Sequence, residues 1–467
     1  MTDIHQTSIA SSSNHTAAEQ RHDIEKGLPD STQTDLPSST VKTEGASSTD
    51  APGPPAPAAA AAPQMPHFPD GGWKAWSVVL GAFLAMAVTL GNVISFTVFQ
   101  DYYFRNTLRD RSQDAIAWIG SVQLACTFGM TLPAGMLNAR FGPRITFAIG
   151  TAFIVLGNMT ASAAVEYYEF LLSQGFCAGF GYGFILLPAL ATPPEWFLKK
   201  RGLATALAVG GSSVGGVIFP VMVNRLLNFD GVSLAWTLRA IAFVQLGGML
   251  IATILIEDRF PKGRGGLPYK EYFGTRATNF FMLGAMLLYL GQYIPYFFIT
   301  PYSVYSGVST GTAFYMSSVL NGATFFGRFA LGTLADKYTG YFNTLAFAAV
   351  VTGVLAFVMT AASDNASIFV WSAFYGFFSG SLQSLFTPAL ARLAGSPQKI
   401  GGFLAIGSSL MWPFLLVSEP IAGKLLQDTG NENFFPLTAF AGAVCIGGGL
   451  LLIVCRVLVP GAQGFKV

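Results

Sequence analysis

The sequence predicts an all-α membrane protein with twelve transmembrane helices in two pseudo-symmetric six-helix bundles. Three observations predict it. Charge is too sparse for a soluble fold of this length, twelve apolar stretches have spanning length, and short motifs recur at offsets of 196 to 200 residues.

Of the 467 residues, 52% are hydrophobic and 11% are charged, against about 25% charged in an ordinary soluble domain. Mean hydropathy is +0.50. A soluble fold needs more polar surface than this, and a bilayer removes that need. The 41 Phe and 52 Gly suit lipid-facing surface and close helix contact. A net charge of +2 gives no reason to expect a nucleic-acid partner. Cys126, Cys177, Cys445 and Cys455 lie in apolar stretches at unrelated spacings. Neither a metal site nor a disulfide framework is expected from them.

Residues 1–69 lack the apolar core of a signal peptide and are rich in Ser, Thr, Pro and Ala. Such a segment buries too little to offset its ordering entropy. It reads as a disordered cytosolic tail, or as a docking or regulatory segment for which no motif stands out. A span needs about 20 mostly apolar residues. Candidates lie near 75–99, 115–137, 143–163, 168–192, 202–224, 235–256, 278–302, 311–335, 342–362, 367–391, 401–426 and 434–456. The longest polar break after the tail, Glu257 to Arg276, divides them six and six. The expected layout is therefore 70–256 for the first bundle, 257–276 for a central cytosolic loop, 277–456 for the second bundle and 457–467 for a cytosolic tail.

Lys and Arg in short loops set orientation. One set of loops holds Arg140, Arg144, Lys199, Lys200, Arg201, Arg259, Lys262, Arg264, Lys270, Arg276, Lys337, Arg392 and Lys399. The other holds Arg105, Arg109, Arg111, Arg225 and Lys424, the first three interleaved with Asp101, Asp110 and Asp114. Both termini are expected in the cytosol. The halves echo one another. Gly135-Met-Leu-Asn-Ala-Arg140 pairs with Gly332-Thr-Leu-Ala-Asp-Lys337, Pro188-Ala-Leu190 with Pro388-Ala-Leu390, and Gly211-Ser-Ser213 with Gly407-Ser-Ser409. Duplicated halves about a central axis are a common way to build an alternating-access cavity.

Gly332-x-Leu-Ala-Asp336-Lys337 resembles the loop motif of the major facilitator superfamily. It would place a latch at the cytosolic face, made by Asp336 and Lys337 in the second copy and by Arg140 and Arg144 in the first. Ala139 replaces the first copy's acid, so the second copy is the better latch. Asp70-Gly-Gly-Trp73 with Trp76, and Trp196-Phe197-Leu-Lys199-Lys200-Arg201-Gly-Leu203-Ala204 leading to Gly211-Ser-Ser-Val-Gly215-Gly216, resemble the monocarboxylate porter family. The shifted span-one motif and Asn321 to Gly327-Arg328 look like its fungal branch. For Asp70 and the tryptophans, interfacial anchoring and helix capping suffice as an explanation.

Charges inside spans are costly and mark functional candidates. Arg328 matches the family's substrate-binding arginine, and its planar fork suits a carboxylate. It can equally bond helix carbonyls or a polar neighbour. Thr324 and Ile94 stand where the family's proton-handling residues are expected. Glu419 is then the candidate coupling group, or else a partner of Lys424. Spans one, four, seven and ten line the cavity in this architecture, which nominates Asn92, Tyr182, Gln292, Tyr296 and Gln383 beside Asn321 as substrate-binding residues. The glycines and Pro220 of span five serve either sliding or static close packing.

No phosphate-binding loop, nucleotide domain or catalytic cluster appears, so neither an enzyme nor a cofactor is expected. The resemblance implies a secondary active transporter, with symport as the expected mode, of a small organic anion such as a monocarboxylate, sited in lipid, with the plasma membrane as its default location. The same fold can instead carry a fungal specialised metabolite or vitamin. A third reading is a nutrient sensor that does not transport.

Overall fold

A computed structural model describes residues 70–259, 266–430 and 433–459. The predicted tail over 1–69 and the residues after 459 lie outside it. Every regular element among the described residues is a helix.

Twelve helical paths follow one another. They are Trp73–Thr107, Ala115–Phe141, Pro143–Ala161, Tyr167–Trp196, Arg201–Phe229, Leu234–Leu255, Arg276–Tyr305, Thr310–Leu334, Tyr341–Ala361, Asn365–Leu393, Pro397–Gln427 and Phe435–Leu458, here spans one to twelve. Ten are long and apolar enough to cross a membrane. The other two, spans eight and ten, carry Arg328, Asn321, Gln383 and many hydroxyls. They pack extensively on each other, so their polar residues need not meet lipid. The expected central loop contains a short helix, Tyr269–Gly274, and span seven starts inside the range assigned to that loop.

Two glycine crossings bring backbones together. A Cβ on Gly211 or Gly215 of span five would stand 1.9 and 2.0 Å from the Phe83 and Ala87 carbonyl oxygens of span one. Span five's other glycines face the opposite bundle. A Cβ on Gly210 would meet the Phe325 ring at 3.1 Å, and one on Gly216 would meet Asn321 Oδ1 at 3.2 Å. Close packing thus occupies two different faces of one helix. Static packing lies within the first bundle, and a smooth seam lies against the second.

The bundles meet along two seams, span five on span eight and span two on span eleven. Among the ten apolar spans, one, four, five and seven are the most buried, at 67% of their apolar windows, and span six the least, at 33%; span ten is also largely buried from Ser379 to Ala391. The buried spans therefore surround the molecular axis, and span six faces outward.

At one end the seam is shut. Asp336 accepts hydrogen bonds from the Gly202 and Leu203 amides at 2.9 and 2.8 Å, and from Tyr341 Oη at 2.7 Å. The carboxylate of span eight's end thereby caps the N-terminus of span five, where unpaired amides and the helix dipole favour an anion. Arg144 donates to the Ile256 and Ile254 carbonyls, within its own bundle. Arg140 lies over the Phe141 ring. Neither is recorded in contact with the other bundle, so the acid-bearing copy makes the inter-bundle contact. Asp70, at φ 49°, accepts from the Leu198 and Lys199 amides at 2.7 Å each. It caps the segment leading into span five rather than its own helix.

Asp336→Ala should weaken this end by about 1–2 kcal/mol, the usual worth of an N-capping acceptor. A cysteine replacing Leu203, whose amide bonds Asp336, should label faster with a membrane-impermeant maleimide in the variant than beside intact Asp336. Equal rates would remove Asp336 from the latch.

Candidate functional site

The axis of the molecule carries a polar layer where helices break. Span one is interrupted at Thr89, with φ −97° and ψ −85°, three residues before Asn92. Span seven breaks at Gln292 and Tyr293, ahead of Pro295. Asn92 and Gln292 are 200 residues apart, the offset of the sequence echoes, so the two breaks are counterparts. Interrupted helices at mid-depth are tolerated where side chains or a cavity satisfy the freed backbone.

In the first bundle Asn92 Nδ2 donates to Tyr182 Oη at 2.7 Å, Gln245 Nε2 donates to the same oxygen at 3.1 Å, and Asn158 Nδ2 donates to Gln245 Oε1 at 2.9 Å. In the second, Tyr296 Oη and Ser379 Oγ share a bond of 2.9 Å, and Tyr375 Oη donates to the Gln292 carbonyl at 2.8 Å. Asn321 Nδ2 donates to the Ser317 carbonyl. Three of these buried amides keep one atom without a partner: Asn92 Oδ1, Gln292 Oε1 and Gln383 Nε2. Leaving such an atom unpaired costs about 1–3 kcal/mol. Tyr182, Tyr296 and Asn321 are occupied by protein partners.

Arg328 sits at the seam and is 4% exposed. Nε donates to the Gly380 carbonyl at 3.0 Å. Nη1 lies 2.7 Å from the Val209 carbonyl, 2.6 Å from Ser212 Oγ and 2.8 Å from Ser213 Oγ. Nη2 donates to Gln383 Oε1 at 3.2 Å. The acceptors come from spans five and ten, so one guanidinium joins three helices across the seam. Of the arrangements open to it from sequence, this one is with helix carbonyls and polar neighbours.

The other end of the seam is not filled. A cavity of about 600 Å³ lies between spans one and two of the first bundle and spans seven and eleven of the second. Trp118, Phe297, Phe298, Tyr305 and Phe434 give it an aromatic wall, and Gln100, Lys424, Gln427 and Glu419 bring polar side chains to it. Lys424 pairs with Asp428 at 2.7 Å. Glu419 is 5% exposed. Its Oε2 accepts from Ser121 Oγ of span two at 3.2 Å, and its Oε1 has no partner. Deeper along the axis, Phe128 of span two meets Tyr289 of span seven edge to face, with centroids 5.5 Å apart. Sequence reading singled out Glu419 but not its aromatic neighbours. No sequence signal assembles them, because they come from three separate segments, span two, span seven and the residue before span twelve. No group of three or more potential metal ligands occurs among the described residues.

Residues 75–415 match the Major Facilitator Superfamily profile. The chain is 36% identical over 397 residues to the aspyridones efflux protein of Emericella nidulans, covering 85% of this chain and 80% of that one. It is 35% identical to the agnestins efflux protein of Paecilomyces divaricatus, covering 82% and 87%, and 35% identical to the fujikurins efflux protein of Gibberella fujikuroi, covering 84% of each. Among solved structures it resembles a Major Facilitator Superfamily transporter, FucP, in the outward conformation. The TM-score is 0.59 at 16% identity, over 82% of this chain and 99% of that one, a likeness of fold. Twelve helices in two bundles, a seam shut at one end and cavitied at the other, and relatives aligned along most of their length lead to one assignment: the chain belongs to the Major Facilitator Superfamily.

Proposed function

We propose that the protein exports a largely apolar specialised metabolite across the plasma membrane by alternating access, with the Asp336 end in the cytosol. The observation that carries this reading is the asymmetry of the seam. Asp336 and span five close one end, while an aromatic cavity large enough for a drug-sized molecule lies between the bundles at the other. The relatives' names, efflux proteins for three fungal products, support outward movement. The crowding of Lys and Arg at the Asp336 end supports the orientation.

This reading prefers a specialised metabolite to the monocarboxylate first suggested by sequence. A carboxylate cargo would have to draw Arg328 away from five protein acceptors. It would also have to pass a cavity whose buried charge candidate, Glu419, is itself an acid. Glu419 remains our candidate for coupling transport to protons, since it lies at the inter-bundle contact with Ser121.

Everted membrane vesicles containing the full chain test the reading. They should accumulate neutral polycyclic compounds several-fold above vesicles lacking the protein, without ATP, and should not accumulate short monocarboxylates. Dissipating the proton gradient should lower accumulation in the wild type. Accumulation of monocarboxylates alone would reject the proposal.

A further inference from the structure

The Glu419 cavity has the composition of a binding site with a particular selectivity. Its wall is aromatic, supplied by Trp118 from the first bundle and by Phe297, Phe298, Tyr305 and Phe434 from the second. Such rings offer large apolar faces and edge contacts to a flat ring system. Set in this wall is one carboxyl group, almost wholly buried. Ser121 occupies one of its oxygens and nothing occupies the other. The cation nearest in sequence, Lys424, is paired with Asp428. Once ionised, this carboxyl group only accepts hydrogen bonds, and its full capacity is far from used. What Glu419 Oε1 lacks is therefore a donor, and what it disfavours once ionised is a second negative charge beside it.

We propose that this cavity binds a ring-bearing apolar molecule through an O–H or N–H group donated to Glu419 Oε1, and that it rejects the same ring system when it carries a carboxylate. The occupant is neutral or cationic and lies flat against the aromatic wall, with its donor turned toward span eleven. On the export reading, this is the last site the cargo occupies before release. The binding selectivity itself does not depend on the direction of movement. Because Glu419 also carries the inter-bundle bond to Ser121, a seated donor competes for the same carboxyl group, which links occupancy to the span two–span eleven contact.

The test is equilibrium binding to the purified full chain in nanodiscs, without any gradient and at alkaline pH, where the Glu419 carboxyl group is ionised. The probes are three naphthalenes of one ring size: 1-naphthol, 1-methoxynaphthalene and 1-naphthoate. The wild type should prefer naphthol to the methoxy ether by about tenfold, the worth of a hydrogen bond to a charged acceptor, and should bind naphthoate weakest. In Glu419→Leu the naphthol preference should vanish while the methoxy ether still binds. Trp118→Ala should weaken naphthol and the methoxy ether alike. If Glu419→Leu does not give a monodisperse protein, Glu419→Gln serves. With the charge gone but the shape kept, naphthoate should bind several-fold tighter than it does to the wild type. A naphthol preference untouched by Glu419→Leu, naphthoate bound as well as naphthol, or naphthoate unaffected by Glu419→Gln would each overturn the proposal. Correct selectivity in nanodiscs with no accumulation in vesicles would sink the export reading and leave the site standing.

Discussion

Arg328→Ala is expected to destabilise the protein by about 3–5 kcal/mol and to lower its thermal midpoint in detergent, whether or not a cargo is present. The guanidinium meets five acceptors on two other spans at 2.6 to 3.2 Å. Hydrogen bonds to a charged group are worth about 1.5–3 kcal/mol each when counted singly. They are not additive here, because three acceptors share one nitrogen. Alanine removes the donors, leaves Ser212, Ser213 and Gln383 in a dry seam with fewer partners, and opens a void. Arg328→Lys should recover only part of the loss, since an ammonium is a single point and cannot reach spans five and ten together. Coupling supplies the sharper check. Replacing Ser212 and Ser213 by alanine should cost less in the Arg328→Ala background than in the wild type. A midpoint unchanged by Arg328→Ala, together with lost binding of an anionic cargo, would return the residue to the carboxylate-binding role implied by its family resemblance.

Gly327→Val should cost at least as much, more than about 3 kcal/mol, and should be seen first as loss of monodisperse protein on size exclusion. A Cβ at Gly327 would stand 1.7 Å from the Phe377 carbonyl oxygen, and one at Gly376 would stand 2.2 Å from the Leu320 carbonyl oxygen. Each helix thus presents a glycine to the other's backbone. A flexible side chain can give way, but a helix carbonyl cannot move without shifting its turn. Small residues are what allow membrane helices to approach so closely. Gly322 lies on the same helix with nothing within 4 Å of its would-be Cβ. Gly322→Ala should leave yield and midpoint unchanged or slightly improved, since alanine is the better helix former by about 1 kcal/mol. Equal damage from both substitutions would show that the effect belongs to the helix and not to the crossing.

The sequence by itself determined the helical paths and their division into two bundles, and it nominated the acid-bearing copy as the better latch. Each of these is written in contiguous residues: an apolar run of spanning length, a recurring motif, an Asp where the other copy has Ala139. It also nominated Asn92, Gln292 and Gln383, because an amide in an apolar run stands out before any partner is known. Only the tertiary structure decided what Arg328 and Glu419 face. Two of the acceptors around Arg328 are backbone carbonyls, a group every residue carries and no sequence distinguishes. Glu419 and Ser121 are 298 residues apart, and the rings beside them belong to segments that look alike to hydropathy. Burial in lipid and burial in a binding cavity select the same aromatic residues. Which of the two a ring meets depends on how the bundles pack, and that packing is set by contacts distributed along whole helices rather than by any local pattern.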